Sequence, residues 1–205
     1  MARTKSSNRW LQEHFNDDYV KLAKQQGYRS RASYKLLEIQ AKDHILQSGN
    51  KVLDLGSVPG GWSQVAAQLV GDNGLVVASD ILLMDQIAGV NFIQGDFTEE
   101  AIYQQILAAC SAYKFDVVLS DMAPNLSGIK TADQAGSIYL AELALDMAQS
   151  LLQAKGRFLV KVFNGQGIDA YKTKVKEVFK KVAIRKPSAS RARSAEIYLL
   201  AQDLR

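Results

Sequence analysis

From residue 51 onward, short apolar runs alternate with glycine-containing turns and with longer stretches where polar and apolar residues mix at helical period. Short apolar runs between turns mark buried strands, and mixing at a period near 3.6 marks amphipathic helices. The pattern predicts strands over 51–55, 75–79, 91–93, 115–120, 156–163, 181–185 and 196–201, with helices over about 61–70, 99–111, 131–153 and 169–179. Upstream, Trp10, Phe15, Tyr19 and Leu22 recur at roughly helical spacing. Tyr34, Leu36, Leu37, Ile39 and Ile45 predict a second helix over 33–45, with Gly27 separating the two and Gly49 as its stop. The first residues are polar, basic and without period, which predicts a flexible basic arm at about 1–9. Strand and helix in alternation are the pattern of a parallel sheet with crossover helices, so one α/β domain over 1–205 is expected.

Composition narrows the class. Of 205 residues, 47% are hydrophobic and 22% charged, a globular balance that excludes a disordered or fibrous chain. No apolar run approaches a membrane span, the basic start lacks an export core, and a single cysteine cannot close an internal disulfide. A cytoplasmic, monomeric protein is the expectation. Net charge is +4, unevenly spread: residues 1–35 carry +5, residues 36–170 carry −8 and residues 171–205 carry +7. Two basic ends around an acidic middle predict a positive face suited to a polyanion, and a merely solvated surface is the alternative.

The segment Lys51 to Gln64, KVLDLGSVPGGWSQ, reads as a buried strand, a glycine turn and a helix start. Gly56, Gly60 and Gly61 let backbone amides approach a ligand closely. Val58 stands where a dinucleotide fingerprint needs glycine, and no Gly-Lys-Ser/Thr ending is present, so a pyrophosphate is disfavoured. Asp80 follows the second strand, where a carboxylate can accept both ribose hydroxyls of a nucleoside, and Asp96 follows the third, within reach of an adenine amine. With Asp54 assigned to the glycine turn, three acids favour a cationic nucleoside such as S-adenosylmethionine. Helix caps or solvated loop positions are the alternative for Asp80 and Asp96.

Asp121 closes the fourth strand in SDMAPN, and Lys161 interrupts the apolar run LVKVF. A lysine between Val160 and Val162 must snorkel or find partners. Lys35 lies on the early helix and Glu196 opens the last strand.

Together, DLGSVPGGWSQ, QGDF, SDMAPN, KVF and SRARSAEIYLLA resemble the FtsJ/RrmJ ribosomal RNA methyltransferases, over nearly the whole chain from Ser7 to Ala201. The resemblance implies a Rossmann-like S-adenosylmethionine-dependent fold, with a seven-stranded mostly parallel sheet and helices on both faces. It also implies transfer of a methyl group to a ribose 2′-oxygen, with S-adenosylhomocysteine as product. The family's Lys-Asp-Lys-Glu set matches Lys35, Asp121, Lys161 and Glu196. Cofactor contacts carry over to Asp54, Gly56, Ser57, Pro59, Gly60, Gly61, Trp62, Asp80, Asp96, Phe97 and Asp121. The family's usual Ala-Ala in the glycine loop is Ser57-Val58 here, which implies an altered cofactor affinity on an unchanged path.

The compact chain resembles the bacterial type that methylates a uridine of large-subunit ribosomal RNA in the assembled subunit. The rivals are the same chemistry on transfer RNA and a catalytically silent RNA-binding assembly factor. A small-molecule methyltransferase is a weaker reading. A lysine is almost wholly protonated at neutral pH, so Lys161 as base needs desolvation or a neighbouring cation such as Lys35. The alternative is that it stays protonated and positions the oxygen. No metal is expected, because His14, His44 and Cys110 form no recognisable ligand set. The RNA face is assigned to Arg29, Arg31, Lys35, Lys186, Arg191 and Arg193, while Tyr28, Tyr34, Tyr198 and Trp62 are assigned to the core or the pocket wall.

Overall fold

The computed structural model describes residues 17–110, 114–191 and 194–205. Seven strands form one sheet: β1 (Lys51–Leu55), β2 (Leu75–Asp80), β3 (Val90–Gln94), β4 (Phe115–Ser120), β5 (Leu152–Phe163), β6 (Phe179–Arg185) and β7 (Glu196–Leu204). Their order is β3-β2-β1-β4-β5-β7-β6. Neighbours from β3 to β5 are parallel, and β7 alone runs against both its neighbours. The helices are α1 (Asp18–Gln26), α2 (Ala32–Asp43), α3 (Gly61–Val70), α4 (Glu100–Ala109), α5 (Lys130–Leu151) and α6 (Ile168–Val178).

Strand residues alternate between two cores, as the period of two requires. Val52, Val76, Val117, Leu119, Leu159, Tyr198 and Leu200 pack with Leu36 and Ile39 of α2 and Trp62, Val65 and Ala66 of α3. Leu53, Leu55, Val118, Phe158, Val160, Val162 and Leu199 pack with Ile106 of α4, Ala144 and Leu145 of α5 and Tyr171 and Val175 of α6. Helices on both faces therefore follow from strands that are apolar at nearly every position. The same parity carries the chemistry. Lys161 shares a face with Leu159, it pairs directly with Tyr198 across the β5–β7 ladder, and Glu196 lies two residues from Tyr198 on that strand. All three thus belong to the α2 face.

Several expected boundaries are corrected. The second helix stops at Asp43, not near Gly49, because His44 takes the left-handed conformation and its amide bonds Gln40 O. Gly27 ends α1 in the same way. The strand expected from Gly156 begins at Leu152, with a register shift opposite Phe115 and Val117, so the preceding helix ends at Leu151. The strand expected to end at Ala201 continues to Leu204, and β6 starts at Phe179. The helix expected over 99–111 runs from Glu100 to Ala109. Asp54 is not in the glycine turn but within β1, in register with Ala78 and Leu119. The basic arm, Trp10, His14, Phe15 and Arg193 lie outside the described residues.

Candidate active site

The turn after β1 holds the glycines the sequence placed there, with Asp54 on the strand before it. Gly56 and Ser57 donate their amides to Ser79 O, and Gly60, in the left-handed conformation, leads into α3. A Cβ on Gly56 would stand 2.1 Å from Met122 Cγ, so this position is closed to side chains. Asp80 Oδ2 accepts the Val58 amide and Oδ1 accepts the Leu82 amide, which fixes the carboxylate at the end of β2. Asp96 Oδ1 accepts both the amide and the hydroxyl of Thr98.

Between these loops lies a cleft of about 480 Å³, lined by Asp80, Ile81, Asp96, Phe97, Asp121 and Met122 among others. It joins carboxylates to apolar walls, as an adenosine requires. A smaller pocket beside it is lined by Ser30, Asp54, Gly56, Ser57, Pro59, Gly61, Trp62 and Asp121. Ser30 Oγ and Ser57 Oγ are buried there without a hydrogen-bond partner. Asp54 is 1% exposed and accepts from Ser63, whose Oγ lies at 2.6 Å. Burial pushes its carboxyl up to about 7, against the Ser63 bond and aided by Asp121 and Asp80. Orphan hydroxyls and a buried carboxyl fit the carboxylate and ammonium of an amino-acid group. The two cavities together therefore suit S-adenosylmethionine. Trp62 contributes a wall, its Nε1 donating to Ala32 O at 2.8 Å.

Lys35, Asp121, Lys161 and Glu196 come together in one cluster. Lys161 Nζ is 3.0 Å from Asp121 Oδ1 and also donates to Asp121 O. Lys35 Nζ is 2.7 Å from Glu196 Oε1. Tyr198 was assigned only to the core or a pocket wall. Its hydroxyl lies 2.8 Å from Asp121 Oδ1 and 3.0 Å from Glu196 Oε1, so it joins the two ion pairs. Its position two residues after Glu196, on the same face, was the available signal. Ser190 Oγ adds a bond to Glu196 Oε1 at 2.8 Å. Burial pushes Glu196 up, but the charge and hydrogen bond of Lys35, with Lys161 and Ser190, hold it below the usual carboxylate value. Burial and then the Asp121 and Glu196 charges raise Tyr198 well above the usual phenol.

A polar cavity of about 200 Å³ opens on the other side of this cluster, lined by Arg31, Lys35, Arg191, Ser194 and Glu196. Arg31 donates to Asp17 Oδ2 and Ala189 O, and Arg191 Nε lies 3.5 Å from the same Asp17 oxygen. One carboxylate thus holds two guanidiniums side by side. The other assigned RNA contacts are engaged elsewhere. Arg29 donates to the carbonyls of Pro59, Asp85 and Gln86, tying the glycine loop to the segment after β2. Lys186 donates to the carbonyls of Ser194 and Glu196, closing the base of the 186–194 loop. Of the tail lysines, Lys172, Lys174 and Lys181 pair with Asp169, Glu142 and Asp203. Among the described residues, no group of three or more His, Cys, Asp or Glu is gathered to hold a metal ion, and no helix is long and apolar enough to cross a membrane.

Comparisons with known proteins place the chain in a family. Residues 28–204 match the model of the FtsJ-like methyltransferase family. The chain is 63% identical over 205 residues to the ribosomal RNA large subunit methyltransferase E of Marinobacter nauticus, covering 100% of this chain and 99% of that protein. It is 58% identical over the same length to the protein of that name in Pseudomonas aeruginosa, with the same coverage of both. Among solved structures it resembles a Plasmodium falciparum protein described as a ribosomal RNA methyltransferase, with TM-score 0.76 and 31% identity over 86% of this chain and 98% of that one. Human methyltransferase-like protein 13, solved with S-adenosylhomocysteine, shares the fold, with TM-score 0.58 and 14% identity over 82% of each chain.

Proposed function

Because the chain belongs to the FtsJ-like methyltransferase family, we propose that its site transfers the methyl group of S-adenosylmethionine to the ribose 2′-oxygen of a uridine in large-subunit ribosomal RNA, in the assembled subunit. In this reading the chain acts as a monomer in the cytoplasm, with residues 1–205 forming one methyltransferase unit.

The observation that carries the proposal is the position of the joined ion pairs between two kinds of cavity. Asp121 lines both the large cleft and the small pocket beside it, whereas Lys35 and Glu196 line the arginine-flanked cavity. Tyr198 spans the short distance between the two carboxylates. A ribose seated at this junction has a methyl donor on one side and cations for its phosphates on the other.

Bound S-adenosylmethionine supplies a methyl carbon already activated by its sulfonium. The protein is left to align the 2′-oxygen and to manage its proton. Lys161 protrudes from the interior of the sheet at 8% exposure, and Asp121 fixes its nitrogen through two oxygens. A neutral Lys161 takes the hydroxyl proton, and Asp121 holds the resulting ammonium. Lys35, fixed by Glu196, offers a second donor for the ribose oxygens. Asp80 is placed for the cofactor's ribose hydroxyls, and Asp54 with Ser57 for its amino-acid end. Arg31 and Arg191 present adjacent guanidiniums to a phosphate, a positioning contact that lends affinity without reading sequence.

The substrate assignment is tested by offering labelled S-adenosylmethionine with unmodified large subunits, free large-subunit RNA and transfer RNA in parallel. Label in the subunit exceeding that in free RNA is the expected result. Label confined to transfer RNA would move the activity to that substrate.

A further inference from the structure

Tyr198 is fully buried, lines none of the three cavities described above, and yet its hydroxyl meets both acids of the candidate site. Its ring is buried among neighbours from three elements. Trp62 packs against it at 5.7 Å between centroids, Lys35 Nζ lies 5.8 Å from the ring centroid, and Lys161 is its partner across the β5–β7 ladder. A phenol carries one hydrogen. At 2.8 and 3.0 Å from two carboxylate oxygens it can satisfy only one at a time, and the other contact sets lone pair against lone pair.

Given methyl transfer at this site, we propose that Tyr198 is a positioning residue whose single hydrogen, shared between Asp121 and Glu196, couples the two lysine–carboxylate pairs into one proton-holding unit. When the hydrogen points to Asp121, part of that carboxylate's charge is spent on it and its hold on the Lys161 ammonium weakens. When the hydrogen points to Glu196, Asp121 holds Lys161 more firmly. The hydrogen itself stays on the phenol, since burial and the two acids both oppose its loss. The groups facing this hydroxyl are Asp121 after β4, Lys161 on β5 and Glu196 on its own strand. Around them stand Lys35 and Arg31 on the α2 side, Ser190 before β7, and Asp54 of β1, on which the Asp121 charge acts.

Two substitutions displace this balance in opposite directions. Tyr198→Phe keeps the ring and removes the hydrogen, which leaves Asp121 with its full charge and Lys161 harder to deprotonate. Glu196→Gln removes the competing charge, so the phenol turns to Asp121 and Lys161 gives up its proton more readily. The test is single-turnover methyl transfer by the full chain in excess over unmodified large ribosomal subunits, with labelled S-adenosylmethionine, across neutral to alkaline pH. The expected result is a midpoint of the pH–rate profile raised by about one unit in Tyr198→Phe and lowered in Glu196→Gln. Affinity for S-adenosylhomocysteine, read by calorimetry, stays as in the wild type for both.

Superimposable profiles would overturn the proposal. So would a uniform fall in rate with an unmoved midpoint, which is what a gap in packing alone produces. Should the phenylalanine variant fail to fold, Tyr198→Met, which also lacks the hydroxyl, takes its place: a raised midpoint supports the proposal and an unmoved one overturns it. A wild-type protein that methylates no RNA would instead overturn the methyl-transfer reading, and this proposal with it.

Discussion

Lys35 on α2 and Glu196 at the start of β7 meet at 2.7 Å with side chains only 11% and 12% exposed. The pair anchors the early helix to the last strand. Glu196 is held below the usual carboxylate value, so its contribution to stability is present above the unfolded value of 4.5 and is lost as pH falls through the folded one. Replacing Lys35 with methionine leaves a buried carboxylate with only Ser190 and Tyr198 as donors. At neutral pH the loss is about 3 kcal/mol. Urea unfolding as a function of pH should show this loss together with an acid limb that begins at higher pH than in the wild type.

Asp54 gives the opposite pH dependence. Burial pushes its folded carboxyl up to about 7 from the ordinary 3.8, so between these values the unfolded chain releases a proton that the folded chain retains. Stability of the cofactor-free protein should therefore fall as pH rises through this window. Asp54→Asn should flatten the slope in thermal melts. Binding of S-adenosylhomocysteine, whose ammonium favours the ionised acid, should tighten toward and above pH 7 in the wild type and lose that dependence in the variant.

Ser57 is buried with an unsatisfied hydroxyl. A buried donor without a partner is destabilising until a ligand supplies one. Ser57→Ala should thus melt at the same or a higher temperature without cofactor, yet bind S-adenosylhomocysteine about tenfold more weakly, the worth of one hydrogen bond. Unchanged affinity in calorimetry would show that the hydroxyl faces away from the ligand.

Strands in this protein were legible where both faces are buried, as in β1 and β4, because apolar residues fill most positions there on both faces, each strand broken by a single aspartate. The ends escaped where a strand leaves the core. Gln153, Ala154 and Lys155 at the start of β5 are exposed, and Gln202 and Asp203 near the end of β7 are polar, so neither stretch carries a period of two. The four charged residues of the candidate site were visible through their motifs. Their pairing was not, since Lys161 finds Asp121 only once β5 pairs with β4, and Lys35 finds Glu196 only once β7 is inserted between β5 and β6. Tyr198 looked like one more aromatic of an apolar strand because burial, not sequence, makes its hydroxyl consequential. Arg29 and Lys186 counted as cations in the sequence, but backbone carbonyls take up their donors.

The central claim is that Lys161, held by Asp121, serves methyl transfer to a ribose. It is tested most directly by wild-type and Lys161→Ala proteins given labelled S-adenosylmethionine and unmodified large ribosomal subunits, with nuclease mapping of the product. The predicted result is label on the ribose of one nucleotide of the large-subunit RNA, with a rate reduced at least about 100-fold in the variant while S-adenosylhomocysteine still binds. Label on a base, or a variant that transfers methyl as fast as the wild type, would contradict it.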